Sequence, residues 1–219
     1  MKILLTLIAI CLCFTGIGQT YSKGDFAPYP IPIPNSEAWY KLDTSKASFA
    51  VSINGGQLLI TKDQKLSGKE YTLAEGKLLA LDLGEWGGGL YYRPDDTLKQ
   101  TFYVNGEPVN ANNKLENYNF VLRTNPARTL IRGKHLLLAG GNTPAIVPYK
   151  DNWFFIQGLP VGPNHGWLSQ LVVQRDSFVI TKILNLDAMP TAISVYNDEV
   201  FIATFDGFMV LRMGRRNYF

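Results

Sequence analysis

The sequence predicts an all-β fold, and within that class a small or partial β-propeller, with a β-sandwich or jelly roll as the alternative. The apolar runs are short and are bracketed by turn residues, and no long segment carries apolar residues at the three-to-four spacing of a helix. Several strands are apolar at consecutive positions, which predicts burial on both faces. A small unit also recurs, in which a turn residue and a polar residue precede an apolar run. These runs contain Leu58, Leu78, Leu136, Trp153, Phe178 and Val200.

The spacing of that unit favours the propeller. Leu58 and Leu78 are 20 residues apart, and Phe178 and Val200 are 22 apart. Two such steps make about 40 residues, close to one four-stranded propeller blade of roughly 40–50 residues. The length of 219 residues predicts one domain, here residues 37–219, with room for four or five blades.

The N-terminus is typical of a secretory signal peptide over residues 1–18. Lys2 precedes an apolar run, and Gly16-Ile17-Gly18 supplies the small-x-small end that favours cleavage after Gly18. The run is shorter than the roughly 18 residues of a membrane-spanning helix, although a membrane anchor or a lipoprotein are the alternatives. We therefore expect a periplasmic or secreted protein with no membrane span in the mature chain.

Both cysteines, Cys11 and Cys13, fall inside that segment, so a mature chain would have no disulfides, no thiol chemistry and no cysteine metal sites. The next segment, residues 19–36, is rich in proline and predicts an extended arm. It serves as a spacer or a strap laid over the domain, or else as a ligand for a partner. The formal net charge of +3 is scattered, which argues against nucleic-acid binding.

Two turns predict β-hairpins. Asn54-Gly55-Gly56 separates two apolar runs, and Asn105-Gly106 stands within TFYVNGEPVN. The glycine-rich stretch LGEWGGGLYY, residues 83–92, is predicted to join two further strands. A phosphate-binding loop would require a helix after the glycines, and LYYRP is a strand pattern instead.

The segment from Ser169 to Arg212 resembles one blade of secreted bacterial β-propellers of the WD40/YVTN-like kind. Pro190, Asn197-Asp198 and Asp206-Gly207 match the turns of such a blade. The stretch GKLLALDLGEWGGGLYYRPDD is similar to uncharacterised secreted proteins of the Bacteroidetes type. The Trp-Asp dipeptide of a true WD40 repeat is absent, and the resemblance implies a scaffold without assigning catalytic residues.

Four residues form the predicted ligand-binding surface. Glu85 and Trp86 offer a carboxylate and a stacking plane beside glycines that allow close approach, although a plain turn explains the same residues. His165 lies in a Gly/Pro loop beside Trp167, and functional residues concentrate in such loops. His135 begins an apolar strand and is predicted to be either buried for structural reasons or simply exposed.

The resulting hypothesis is a secreted or periplasmic binding module whose ligand is a protein or a glycan. The alternatives are a carbohydrate hydrolase or lyase that uses a carboxylate in a central pocket, and an inhibitor or immunity-type partner protein of the envelope. A non-catalytic role is favoured, with no cofactor and no metal, because two histidines without cysteines make a zinc site improbable. The enzyme hypothesis would draw on the carboxylates Asp82, Glu85, Asp95, Asp96, Asp187 and Asp206.

Overall fold

A computed structural model provides the coordinates of the chain. The residues that it describes are 20–21, 23–28, 33, 36–38, 49–62, 69–82, 88–96, 101–110, 115–123, 128–158, 166–186, 188–204, 207–212 and 215–218. The predicted signal peptide, residues 1–18, lies outside them.

The described chain is almost entirely β-strand, apart from a short 3₁₀ helix at Lys23–Asp25 and helical residues at Glu37 and Ala38, so the predicted all-β class is confirmed. The strands are β1 (Thr20–Tyr21), β2 (Phe49–Asn54), β3 (Gln57–Lys62), β4 (Lys69–Leu73), β5 (Gly76–Asp82), β6 (Gly88–Pro94), β7 (Thr101–Val104), β8 (Glu107–Asn110), β9 (Leu115–Arg123), β10 (Arg128–Gly140), β11 (Asn142–Tyr149), β12 (Asn152–Gly158), β13 (Gly166–Gln174), β14 (Ser177–Leu186), β15 (Pro190–Tyr196), β16 (Glu199–Thr204), β17 (Gly207–Arg212) and β18 (Arg215–Tyr218).

The strands form four sheets, and none of the four closes on itself within the described residues. We name them by position in the chain: the first is β1-β3-β2, the second β4-β5-β6-β10-β9, the third β11-β12-β13-β14-β7-β8, and the fourth β15-β16-β17-β18. Most neighbours in a sheet are antiparallel and consecutive in the chain. The recurring apolar unit falls on β3, β5, β10, β12, β14 and β16, the return strands of hairpins.

The predicted hairpin turns are present and are of the tight two-residue kind. Gly55 and Gly56 have φ of 56° and 76° between β2 and β3, and Asn105 and Gly106 have φ of 53° and 83° between β7 and β8. Asn197 follows the same pattern with φ of 49° between β15 and β16. Two consecutive positive φ values match the twist of paired strands, which explains why this turn type recurs.

The sheets pack face to face in the order first, fourth, third, second, with a separate apolar core between each neighbouring pair. The core between the second and third sheets contains Tyr92, Phe155 and Phe178. Ile156 and Ile202 belong to the core between the third and fourth sheets. Such strands are buried on both faces, as the consecutive apolar residues predicted. Layered open sheets are compatible with both architectures that the sequence predicts.

Part of the N-terminal arm belongs to the fold. β1 adds to β3, with Tyr21 opposite Ile60. Phe26 stands edge-on to Phe208 of the fourth sheet, with ring centroids 4.4 Å apart, and 5.9 Å from the ring of Phe49 in the first sheet. This aromatic contact therefore ties the first sheet to the fourth.

One buried phenol predicts a pH dependence of stability. The Tyr71 hydroxyl donates a hydrogen bond to the carbonyl of Ile146, joining the second sheet to the third, and burial raises the Tyr71 pKa above its ordinary value of about 10. The folded state holds this proton more tightly than the unfolded state. Its contribution is therefore complete below pH 10 and is lost as pH rises above 10. We expect denaturation above pH 10 to show a shallower loss of stability in Tyr71→Phe than in the wild type. Equal slopes would contradict this assignment.

Candidate functional site

The ends of several strands meet on one side of the molecule, which we call the loop end. β5 ends there at Asp82 and β6 begins there at Gly88. Likewise, β12 ends at Gly158 and β13 begins at Gly166. The described residues that flank 83–87 and 159–165 therefore lie at this end. Asn142, the first residue of β11, pairs with Gly158.

Gly88 joins the two strand pairs. Its φ is 153°, and a Cβ atom at this position would lie 2.3 Å from the carbonyl oxygen of Leu81 and 2.9 Å from Oδ1 of Asn142. The Gly88 carbonyl accepts a hydrogen bond from the Gly141 amide at 3.3 Å. Only glycine can adopt this φ while its Cα lies so close to Leu81 and Asn142. Gly88 therefore allows β6 to pack against the start of β11.

Trp167 is anchored by a buried amide. Its indole Nε1 donates to Oε1 of Gln157 at 2.8 Å, and Nε2 of Gln157 donates to the Gly140 carbonyl at 2.9 Å. Gln157 is 3% exposed, so both ends of its amide are fixed within the protein. The ammonium of Lys182 stands 4.8 Å from the centroid of the Trp167 ring, a cation–π distance.

Buried polar groups concentrate at the loop end. Asn142, Thr143, Gln157 and Thr204 account for four of the seven buried polar residues in the described part of the chain. The Thr143 hydroxyl donates to the Gly141 carbonyl at 3.0 Å. Buried polar side chains fix a backbone in one arrangement when they are hydrogen-bonded. The loop end is therefore a rigid frame of amides and backbone, with a half-buried indole and an exposed ammonium beside it.

The structure places one of the four predicted ligand-binding residues. Trp167 is the second residue of β13 and lies half-buried at the loop end. Glu85, Trp86 and His165 lie outside the described residues. The strand ends next to them, Gly88 and Gly166, both belong to the loop end.

The other titratable residues considered in the sequence do not all lie at the loop end. His135 is completely buried and lies in the interior of β10 rather than at the start of the strand, and burial is one of the two non-functional outcomes expected for it. Asp95 follows the opposite end of β6 and donates its amide to the Glu75 carbonyl, so Asp95 and Asp96 stand away from the loop end. Asp82 lies at the loop end. Over the residues that the structure describes, no three acidic, histidine or cysteine side chains come together to bind a metal.

Gln157 and Asn142 belong to the candidate site but are not among the residues predicted from the sequence. Gln157 is a polar residue inside the apolar run NWFFIQG, and Asn142 follows the pair Gly140-Gly141. A polar residue within a strand that is otherwise apolar is a usable signal, because burial obliges it to find a partner. Its partner, Trp167, could not be identified from sequence spacing.

Comparison with known proteins gives no relative: no family model, no curated protein and no solved structure matches this chain. The described residues contain no helix with the length and apolar character needed to cross a bilayer.

Removing the Gln157 amide tests whether it positions Trp167. Gln157→Leu removes one hydrogen bond to the half-buried indole N–H and one to the carbonyl of the exposed Gly140, which together are expected to lower the free energy of unfolding by about 1–3 kcal/mol. Gln157→Glu retains the acceptor for the indole and is expected to hold the ring better. Near-ultraviolet circular dichroism and urea denaturation provide the readouts. An unchanged tryptophan signal in Gln157→Leu would contradict the positioning role.

Proposed function

We propose that this chain is a secreted or periplasmic binding module on a β-propeller-like scaffold, and that its loop end recognises a protein or glycan ligand. The observation that carries the proposal is the convergence at Asn142. The anchors of two connections far apart in the sequence, Gly88 and Gly158, both contact this residue. Binding surfaces are commonly built in this way, from loops held by a rigid frame.

The direction of the first strands supports the propeller. Thr191 and Ser194 of β15 donate side-chain hydrogen bonds to the carbonyls of Phe49 and Val51 of β2, so these two strands run the same way. β4 and β11 also begin at the loop end. One strand of each sheet, β2, β4, β11 or β15, therefore begins at the same end of the molecule, as equivalent strands of propeller blades do, whereas β7 of the third sheet begins at the opposite end. The face-to-face order of the sheets agrees with that repetition.

The chemistry at the loop end favours binding. The half-buried indole of Trp167 and the exposed ammonium of Lys182 offer stacking and charge to a ligand, while the buried amides of Gln157 and Asn142 hold the frame. The secreted or periplasmic location rests on the sequence of residues 1–18, whose charged start and apolar core are typical of a signal peptide.

A carbohydrate hydrolase or lyase is the second candidate, and one observation favours it. Asp82 lies at the loop end, and Asp187 and Asp206 follow strand ends, Leu186 and Thr204, that belong to the same end. Paired carboxylates about 5–10 Å apart are what such an enzyme needs. Release of reducing ends from a polysaccharide, abolished in Asp82→Asn, would support the enzyme over the binder.

A thermal-shift screen against glycans and peptides tests the binding proposal, because a ligand that binds only the folded state raises its apparent stability. We expect the double variant Trp86→Ala/Trp167→Ala to lose the shift produced by any hit. Trp153→Ala is the matched control, since Trp153 lies at the far end of β12. A protein partner that copurifies with the wild type and is lost from the double variant would identify the inhibitor-type alternative. A double variant that keeps every ligand shift would contradict the proposal.

A further inference from the structure

We propose that the outer edge of β14, from Thr181 to Leu186, accepts an extended segment of a partner protein that carries an acidic residue between apolar ones. This inference rests on the proposed binding function, because it specifies the chemistry of a protein ligand. It adds a second contact surface, adjacent to the loop end.

The outer edge of β14 is paired over only part of its length. β7 runs parallel to it and pairs at Ser177 and Phe178. Asn105 then ends the pairing, because its amide donates to the Phe178 carbonyl and its Oδ1 accepts from the Ile180 amide, at 2.8 and 2.7 Å. Beyond this point, within the described residues, Thr181–Leu186 pairs with β13 on the inner side and with no strand on the outer side.

One exposed apolar side chain, Ile183, lies on this edge, and two more lie beside the place where β7 ends. Tyr103, Val179 and Ile183 are 45%, 39% and 47% exposed, and they account for three of the six large apolar side chains that are exposed in the described part of the chain. All three lie on β7 or β14. An open strand edge that carries exposed apolar side chains is a template for pairing with another chain.

Lys182 determines which occupant fits. Ser169 pairs with Lys182 and Leu168 with Leu184, so Ile183 is an extra residue that bulges from the strand beside the lysine. Self-association of two copies through this short edge would bring two lysines into one interface, which like-charge repulsion disfavours. A partner strand with an acidic residue opposite Lys182 gains an ion pair, while an apolar neighbour of that residue covers Ile183.

The geometry is that of strand addition. Six residues of β14 span about 20 Å, enough for one short partner strand to form a ladder of backbone hydrogen bonds. Main-chain bonds then supply affinity and alternate side chains supply specificity. Because Lys182 stands over Trp167, an acidic residue bound there would lie next to the loop end.

The probe is a fluorescein-labelled heptapeptide of alternating valine and polar residues with aspartate at its centre, with a lysine-centred peptide as its control. We expect the aspartate peptide to bind at least tenfold more tightly in fluorescence anisotropy. Lys182→Glu is expected to reverse this preference, and Ile183→Lys to weaken binding of the aspartate peptide at least tenfold. The matched control Ile53→Lys alters an exposed apolar residue on β2 and is expected to change nothing.

Hydrogen exchange locates the contact. Among residues 181–186, the amides that point away from β13 are expected to exchange fast in the free protein and to slow when the aspartate peptide is present, while the amides bonded to β13 serve as the internal reference. The inference would be overturned if the two peptides bound equally well, or if the peptide slowed exchange only outside residues 181–186. It would also be overturned if protection of residues 181–186 rose with protein concentration in the absence of peptide, because a second copy would then be the occupant. The aspartate peptide could fail to bind while the Trp86→Ala/Trp167→Ala variant still loses the thermal shift that a ligand produces in the wild type. That result would reject the edge of β14 as a binding site and leave the proposed function standing.

Discussion

Gly88→Ala is expected to lower the free energy of unfolding by between about 2 and 5 kcal/mol. The added Cβ would meet the Leu81 carbonyl at 2.3 Å, and an L side chain at a φ of 153° is strained. Strain of this kind costs about 1–3 kcal/mol, and forcing extra atoms into a packed region costs a similar amount. Because the obstruction is backbone, the neighbour cannot move aside cheaply. Urea denaturation followed by far-ultraviolet circular dichroism measures the loss.

Gly140→Ala is the matched control for that experiment. Gly140 lies at the same end of the molecule, and a Cβ there would meet nothing within 4 Å. We expect its unfolding free energy to differ from the wild type by less than about 0.5 kcal/mol. If the two alanine variants are equally stable, Gly88 does not hold β6 against the start of β11, and the account of the loop end is wrong.

Phe208→Ala is expected to cost about 3–5 kcal/mol, because it removes a large side chain from the core between the first and fourth sheets. Phe208 is 1% exposed and its ring contacts Phe26 edge-on. Its loss leaves a cavity and also removes the anchor of the N-terminal arm. Limited proteolysis is therefore expected to cleave the arm near Phe26 faster in the variant than in the wild type.

Ile53→Ala is the control for the aromatic core, since Ile53 is 42% exposed on the same sheet as Phe49. Its midpoint of denaturation is expected to remain close to that of the wild type. A Phe208→Ala variant with the same midpoint as Ile53→Ala would show that the contact of Phe26 with the fourth sheet contributes little.

Local features of this fold could be predicted from the sequence. The turn at Asn105-Gly106 was identified because two consecutive positive φ values need those residue types. The partners of each hairpin could not be predicted in the same way. The β7–β8 hairpin lies in the chain between strands of the second sheet, yet it pairs with β14 of the third. Pairing across some 75 residues depends on packing that no local pattern records.

In the candidate site, too, single residues could be predicted from the sequence but their contacts could not. Trp167 was predicted because an aromatic residue beside a Gly/Pro loop is a common element of binding surfaces. Its support by Gln157 depends on two strands meeting in register, with Gln157 opposite Trp167. The role of Gly88 likewise depends on its contact with Asn142, a residue 54 positions later in the chain.

The most direct test of the central claim, that the two loops form one recognition surface, is a spin-label distance measurement between residues 85 and 165. Glu85→Cys and His165→Cys would be labelled in a chain whose Cys11 and Cys13 are replaced by serine. Chain reach from Gly88 and Gly166 limits the two Cα atoms to a separation of about 30 Å. We predict a distance distribution within that limit, allowing for the label linkers. A distribution centred beyond about 45 Å would place the loops on different sides of the molecule and contradict the account.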